Sequence, residues 1–128
     1  MQGRPVGWFE IYVHDMDRAR KFYEAVFECT LEPLGNPDPG EDVEMWAFPG
    51  AMDAGDGCSG ALARMDGVSP GGGGIIIYFM CEDCATEARR AAVHGGSVVR
   101  DKFAIGQYGF AALVNDSEGN LIGLHSMR

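Results

Sequence analysis

The hydrophobic and polar positions of the chain follow one pattern twice. Residues 8–15 alternate along a strand-like stretch and end in an acidic residue, and residues 76–83 follow the same plan. Each stretch predicts a strand with two different faces, and each acidic end predicts the start of a helix. Self-similarity on this scale indicates two structural modules of one kind.

A helical spacing of apolar residues follows each predicted strand. In the first half it covers 19–27 and comes after Asp15 and Asp17, either of which can cap a helix N-terminus. In the second half Asp83 precedes a row of alanines at 85–92, and a pair of glycines then ends the helix. Each strand is therefore predicted to lead into one amphipathic helix.

Three short strand-like runs follow each predicted helix, so each half is predicted to be β-α-β-β-β and the fold class to be α+β. The first half needs a longer loop, which composition places at 35–40 or 49–57. We expect one domain over 1–128, with a first module at 1–68, a flexible glycine-rich linker at 69–74 and a second module at 75–128. The predicted runs are 30–34, 45–48 and 59–64 in the first half and 97–100, 110–114 and 121–125 in the second.

The sequence resembles the vicinal oxygen chelate (VOC) superfamily, which includes glyoxalase I, bleomycin-resistance proteins and extradiol dioxygenases. The resemblance lies in Phe-Glu-Ile-Tyr-Val-His-Asp at 9–15, Lys-Phe-Tyr-Glu at 21–24 and Gly-Asn-Leu-Ile-Gly-Leu at 119–124. It implies that the curled sheets of the two modules enclose a central cavity, which in such proteins usually holds a divalent metal. The superfamily hosts isomerases, dioxygenases, lyases, transferases and binding proteins, so the resemblance implies a fold and not one reaction.

The metal ligands that the resemblance implies are a histidine on the first strand of each module and a carboxylate near a last strand. None of the residues at these positions has a side chain that ligates metals. We therefore predict no cofactor and disfavour a divalent metal, since a replacement site of Glu10 and His125 would supply only two ligands. The implied positions fall on Trp8, Ile76, Ala61 (or its neighbour Gly60) and Gly123.

Strand alternation predicts which side chains face the implied cavity. On the first strand the opposite face, with Phe9, Ile11 and Val13, is expected to point to the first helix, which carries Phe22 and Val26. On the second module's first strand, the residues expected beneath the second helix are Ile75, Ile77, Phe79 and Cys81. The predicted lining is Trp8, Glu10, Tyr12, Ile76, Tyr78, Met80, Gly123 and His125, with the small residues Ala61 and Ala63.

Glu10, His125 and Tyr78 are the candidate catalytic residues of this lining. Burial beside Trp8 would raise the pKa of Glu10, and an imidazole titrates near neutrality, so either group can transfer a proton. Tyr78 can orient a substrate carbonyl or hydroxyl group. The competing explanation is structural, with Glu10 hydrogen-bonded at the sheet edge, His125 near the surface and the tyrosines filling space.

Ligand-binding roles are predicted for Trp8, Tyr12, Met80, Tyr108 and Gly123. Trp8 can stack on a planar ligand, or it can fill the space that a metal would otherwise use. Tyr108 lies in the predicted loop 106–109, where its ring can close over a ligand or form part of an ordinary surface turn.

The composition and charge of the chain limit the classes of partner that it can bind. The chain has 128 residues, 10 Lys and Arg against 19 Asp and Glu, and a net charge of −9. This balance opposes binding to nucleic acids and to anionic membranes, and no apolar run approaches the length of a membrane span. We expect a cytoplasmic protein with reduced cysteines, in which the Cys81–Cys84 spacing is structural because no second such pair completes a zinc site.

The sequence is compatible with three functions. The first is binding of a small planar or cationic molecule, as bleomycin-resistance proteins do. The second is a metal-independent lyase or isomerase that transfers protons through Glu10 and His125. The third is a divalent-metal lyase or dioxygenase with relocated ligands, against which the four lost ligand positions argue. For each of them we expect a homodimer, because paired modules can cover exposed sheet edges.

Overall fold

A computed structural model of the chain describes residues 5–35, 42–50 and 57–128. The two loops predicted to lengthen the first half, 35–40 and 49–57, lie mostly outside the described residues. The chain divides into two compact units. Residues 8–75 form the first unit, and residues 76–128 form the second together with the N-terminal segment that ends at Gly7.

The sheet of the first unit has the strand order β2-β3-β4-β1. Strand β1 runs parallel to β4, whereas β3 is antiparallel to both β4 and β2. The register places Glu10 of β1 opposite Ala61 of β4. The elements in chain order are β1 (Val6–Tyr12), α1 (Met16–Phe27), β2 (Glu32–Leu34), β3 (Val43–Ala47) and β4 (Ser59–Met65).

The second unit repeats this arrangement with the strand order β5-β8-β7-β6. Strand β5 runs parallel to β8, and the register pairs Tyr78 with Gly123 and Met80 with His125. Strand β6 continues to Ala104 and is longer than the predicted run at 97–100. The α+β class and the two β-α-β-β-β modules are thereby confirmed. The elements are β5 (Ile75–Met80), α2 (Cys84–Val93), β6 (Ser97–Ala104), a 3₁₀ turn (Gly106–Tyr108), β7 (Phe110–Asn115) and β8 (Leu121–Ser126).

Both helices begin at an aspartate, as predicted. The Asp15 side chain accepts a hydrogen bond from the backbone N–H of Arg18 at 3.0 Å, and Asp83 accepts one from Ala85 at 3.1 Å. Of the two candidates at the first helix, Asp15 is therefore the cap. Asp17 lies in the first turn, where its negative charge interacts favourably with the helix dipole.

The core of the first unit forms around Met16, Leu31 and Leu62, against which Ala19 and Tyr23 pack. Ile11 and Val13 of β1 join this core, as predicted. Phe22 and Val26 of the same helix lie outside this core and are 58% and 55% exposed. The reason is the rotation of α1: it turns the i, i+3, i+7 row of Met16, Ala19 and Tyr23 towards the sheet, and Phe22 and Val26 lie beside that row.

The core of the second unit forms where α2 packs on β6, β7 and β8. Phe79 and Cys81 contact this core, as predicted. Ile75 and Ile77 do not, and the prediction for them is wrong, since they are 61% and 38% exposed. The helix lies over the strands that follow it in sequence, so Ile75 and Ile77 are left exposed on its side of β5.

The glycine-rich segment 69–74, predicted to be flexible, forms a hydrogen-bonded turn. The N–H of Gly74 donates to the carbonyl of Gly71 at 2.8 Å, and the N–H of Tyr12 donates to the carbonyl of Gly74 at 2.7 Å. The turn requires glycine at two positions, because Gly71 and Gly73 have positive φ values of 91° and 85° that other residues rarely adopt. Within the described residues, no helix combines the length and the apolar character needed to cross a membrane.

Candidate functional site

A buried carboxylate lies on strand β1 of the first unit. The Glu10 side chain is only 9% exposed and accepts two hydrogen bonds from residues of its own strand. The Tyr12 hydroxyl donates to Oε1 at 2.8 Å, and the Trp8 indole N–H donates to Oε2 at 3.1 Å. Because the strand repeats every two residues, Trp8, Glu10 and Tyr12 share one face, and the structure brings these three predicted site residues into contact.

The proton between Tyr12 and Glu10 belongs to the phenol. Burial raises the pKa of Tyr12 far above its ordinary value of 10.0, and the negative charge and hydrogen bond of Glu10 raise it further. Tyr12 therefore stays a donor at any physiological pH. The residue opposite Glu10, Ala61, is fully buried and places only a methyl group beside the carboxylate.

In the second unit, the Tyr78 ring lies close against Gly123 on the neighbouring strand β8. A Cβ atom added at Gly123 would overlap three ring carbons of Tyr78. The Met80 thioether lies in the same way against Gly7 of β1. Glycine at 123 is thus explained by the close approach of an aromatic ring, so the predicted catalytic residue Tyr78 and the predicted ligand-binding residue Gly123 pack against each other.

The His125 imidazole is 7% exposed and is held by the turn that precedes β7. Its Nε2 lies 2.6 Å from the backbone carbonyl oxygen of Tyr108. A carbonyl oxygen can only accept, so Nε2 carries the proton and donates it. Tyr108, predicted for its ring, contributes its backbone to this contact. A role of the ring in covering a ligand stays a prediction.

Tyr78, Met80, Gly123 and His125 occupy one face of the second sheet. Phe79 and Leu124, their neighbours in sequence, pack against the α2 core, so alternation directs the four towards the other face. Glu10 and His125, however, belong to different units. Their joint action on one substrate stays a prediction.

Comparison with known proteins identifies the family. The family model of the Glyoxalase/Bleomycin resistance protein/Dioxygenase superfamily matches residues 6–124. The chain belongs to this superfamily. The predicted resemblance is thereby confirmed over nearly the whole sequence. Among curated proteins, no sequence matches the chain.

Solved structures with a similar fold include epimerases. Methylmalonyl-CoA epimerase from Mycobacterium tuberculosis superposes with a TM-score of 0.70 at 17% identity, covering 100% of this chain and 93% of that one. The Streptomyces coelicolor methylmalonyl-CoA epimerase in complex with 2-nitronate-propionyl-CoA gives 0.67 at 20% identity and 98% coverage of both chains. A hypothetical protein from Bacillus halodurans gives 0.68 at 15% identity, covering 96% and 94%. At these identities the likeness shows the fold.

The positions that the resemblance implies for metal ligands are occupied by a tryptophan, an alanine, an isoleucine and a glycine. The Trp8 indole donates to Glu10, Ala61 is fully buried, and Ile76 is 4% exposed. At Gly123 the space of a ligand side chain is taken by the Tyr78 ring. Over 5–35, 42–50 and 57–128, no three His, Cys, Asp or Glu residues are grouped so that they could hold a metal.

Sequence reasoning passed over a second tryptophan–glutamate pair in the first unit. The Trp46 indole donates to Glu44 at 3.2 Å, and the Arg64 guanidinium lies 3.4 Å from the same carboxylate. Alternation along β3 was the signal that could have found this pair. Glu44 is exposed and borders a polar depression of about 320 Å³, whereas Glu10 is buried. Trp46 and Glu44 therefore make the same kind of hydrogen bond as Trp8 and Glu10, but with an exposed carboxylate.

The two cysteines that flank the start of α2 have structural positions. Cys84 is fully buried, and its N–H donates to the Ser126 hydroxyl at 3.0 Å. Burial, and to a lesser extent the charge of Glu87, raises the pKa of the Cys81 thiol to about 11. An exposed thiol such as Cys58 lacks this burial.

We expect Cys81 to react slowly with thiolate-selective reagents. A shift of the pKa of Cys81 from 9.0 to about 11 lowers its thiolate fraction at pH 8 about a hundredfold. Alkylation by iodoacetamide, followed residue by residue with peptide mass spectrometry, should therefore label Cys58 long before Cys81. Equal rates at the two residues would contradict this prediction and revive a redox role for the Cys81–Cys84 spacing.

Proposed function

We propose that the protein binds a small organic molecule through the face of β1 that carries Trp8, Glu10 and Tyr12. The observation that supports this proposal is the buried Glu10 carboxylate, which two donors of its own strand hold in one orientation. A carboxylate fixed in this way is preorganised to accept from a hydroxyl, amine or amidinium group of a ligand. Trp8 is partly exposed beside it and offers an aromatic plane.

The ligand class that fits best is a planar cation. An aromatic plane and a carboxylate together attract a flat, positively charged group, and the net charge of −9 raises the local concentration of cations. An acyl-CoA ligand, such as those bound in the structurally similar epimerases, carries phosphates that the same charge opposes.

We expect Glu10→Gln to weaken the binding of planar cations about tenfold or more, since it removes the charge and keeps the shape. The probes are acriflavine and ethidium, and isothermal titration calorimetry measures the dissociation constants. Glu44→Gln is the matched control, because Glu44 also accepts from a tryptophan two residues away and is exposed. An equal loss in both variants, or no saturable binding of either dye to the wild type, would contradict the proposal.

A second function, metal-independent proton transfer, is favoured by the fixed tautomer of His125. In this proposal Glu10 and His125 transfer protons to and from a small carbonyl or hydroxy-acid substrate, and Tyr78 orients its oxygen. The structural likeness to methylmalonyl-CoA epimerases supports the proposal of an isomerase. No contact among the described residues favours a metal enzyme with relocated ligands.

The proposal includes a cytoplasmic homodimer. Its support is an apolar strip on α1, where Phe22, Val26 and Phe27 are more than half exposed. Side chains of this size on one helix face are typical of surfaces that contact another protein.

A further inference from the structure

The turn before β7 is built to hold a carbonyl group against His125. The 3₁₀ turn Gly106–Tyr108 ends at Gly109, whose φ of 94° and ψ of −123° are accessible only to glycine. A Cβ at Gly109 would also overlap the carbonyl oxygen of Ser126, the residue after His125. The turn thus lies directly on the end of β8, and the N–H of Ile105 closes it by donating to the carbonyl of Gly109 at 2.9 Å.

This packing fixes both the position and the tautomer of the imidazole. Strand β8 is held between β5 and β7, where His125 lies opposite Met80 and Ala111. The carbonyl of Tyr108 accepts from Nε2 at 2.6 Å, so in the neutral ring the lone pair lies on Nδ1. A carbonyl that accepts from Nε2 also stabilises the charged ring once Nδ1 has taken up a proton.

We propose that Nδ1 of His125 is the proton-accepting atom of this protein and that the Tyr108 carbonyl is its positioning group, an inference that rests on the proposed proton-transfer function. The substrate class is a small carbon acid, a compound with a C–H bond beside a carbonyl group. Nδ1 takes the proton from that carbon, and the electron pair of the C–H bond moves into an enolate. The imidazolium then returns a proton to the same carbon, so that nothing is oxidised or reduced and no co-reactant is consumed.

Tyr78 has a defined place in this arrangement. It lies on the same face of the sheet as His125, with its ring seated on Gly123 two residues away along β8. On the neighbouring strands, Met80 lies opposite His125 and Leu113 lies opposite Gly123.

The test has a structural arm and a chemical arm. In the structural arm, ¹⁵N NMR of histidine-labelled wild-type protein should show His125 with Nε2 protonated and Nδ1 unprotonated. In the chemical arm, ¹H NMR in D₂O follows deuterium incorporation into pyruvate and dihydroxyacetone. Glutamine at 125 keeps an N–H that can donate to Tyr108 but has no basic nitrogen, so His125→Gln should reduce exchange about a hundredfold while the protein stays folded.

The outcomes separate the inference from the function on which it rests. A proton on Nδ1 in the wild type overturns the inference, even if His125→Gln fails to fold. Exchange that His125→Gln retains overturns it as well, and shows that proton transfer uses another base. If the wild type exchanges neither compound above the buffer rate, the proton-transfer function itself fails, and the role of Nδ1 fails with it.

Discussion

Replacing Gly123 with glutamate is expected to lower the free energy of unfolding by about 3 kcal/mol and to create no metal site. Glutamate is what the superfamily pattern implies at this position, yet its Cβ would overlap the Tyr78 ring. The ring carbons involved are close to the backbone of β5, so the side chain cannot give way by moving only its tip. The new carboxylate would in addition lie at a buried position of β8.

Urea unfolding measures the stability of Gly123→Glu, and elemental mass spectrometry after exposure to Mn, Fe, Ni and Zn measures its metal content. Gly35→Glu is the control, because a Cβ at Gly35 meets nothing within 4 Å. A Tyr78→Ala/Gly123→Glu double variant should lose less stability than the sum of the single variants, by about 1 kcal/mol or more. Wild-type stability of Gly123→Glu, or stoichiometric metal in it, would show that Tyr78 does not hold this space.

Tyr12→Phe is expected to cost about 2 kcal/mol at pH 8, because it removes a buried, charge-assisted hydrogen bond and leaves the Glu10 carboxylate with one donor fewer. Urea unfolding measures the loss. Tyr23→Phe is the matched control, since it removes a hydroxyl from a tyrosine whose ring packs on Phe48, in the same unit but away from Glu10. A similar loss of stability in both variants would mean that the hydrogen bond to Glu10 contributes no more than the hydroxyl of Tyr23 does.

The wild type and Tyr12→Phe are also expected to differ in how their stability depends on pH. Burial raises the pKa of Tyr12 in the folded protein above its unfolded value near 10, so this stabilisation is complete below pH 10 and falls as the pH rises further. The wild type should lose about 1.4 kcal/mol between pH 9 and pH 11 that Tyr12→Phe does not lose. Parallel stability curves for the two proteins over this range would show that the phenol titrates as it does in solvent.

The candidate site was predictable where it depends on strand alternation. Trp8, Glu10 and Tyr12 share a face because they are two residues apart, and the structure shows their side chains hydrogen-bonded to one another. Which of these side chains contact one another could not be assigned from spacing. That assignment needs the rotamers of the three side chains, which burial against the rest of the first unit selects.

What the sequence by itself determined is the set of elements and their repetition, because helix caps such as Asp15 and Asp83, turn glycines and apolar periodicity act over a few residues. Only the tertiary structure decided which side of α1 is buried, because that depends on how the helix rotates on a sheet whose strands come from distant segments. The same holds for the Tyr78 ring on Gly123 and for the Tyr108 carbonyl on His125. Each of these contacts joins residues far apart in the chain. They are set by the strand register and by the conformation of one turn, and local spacing encodes neither.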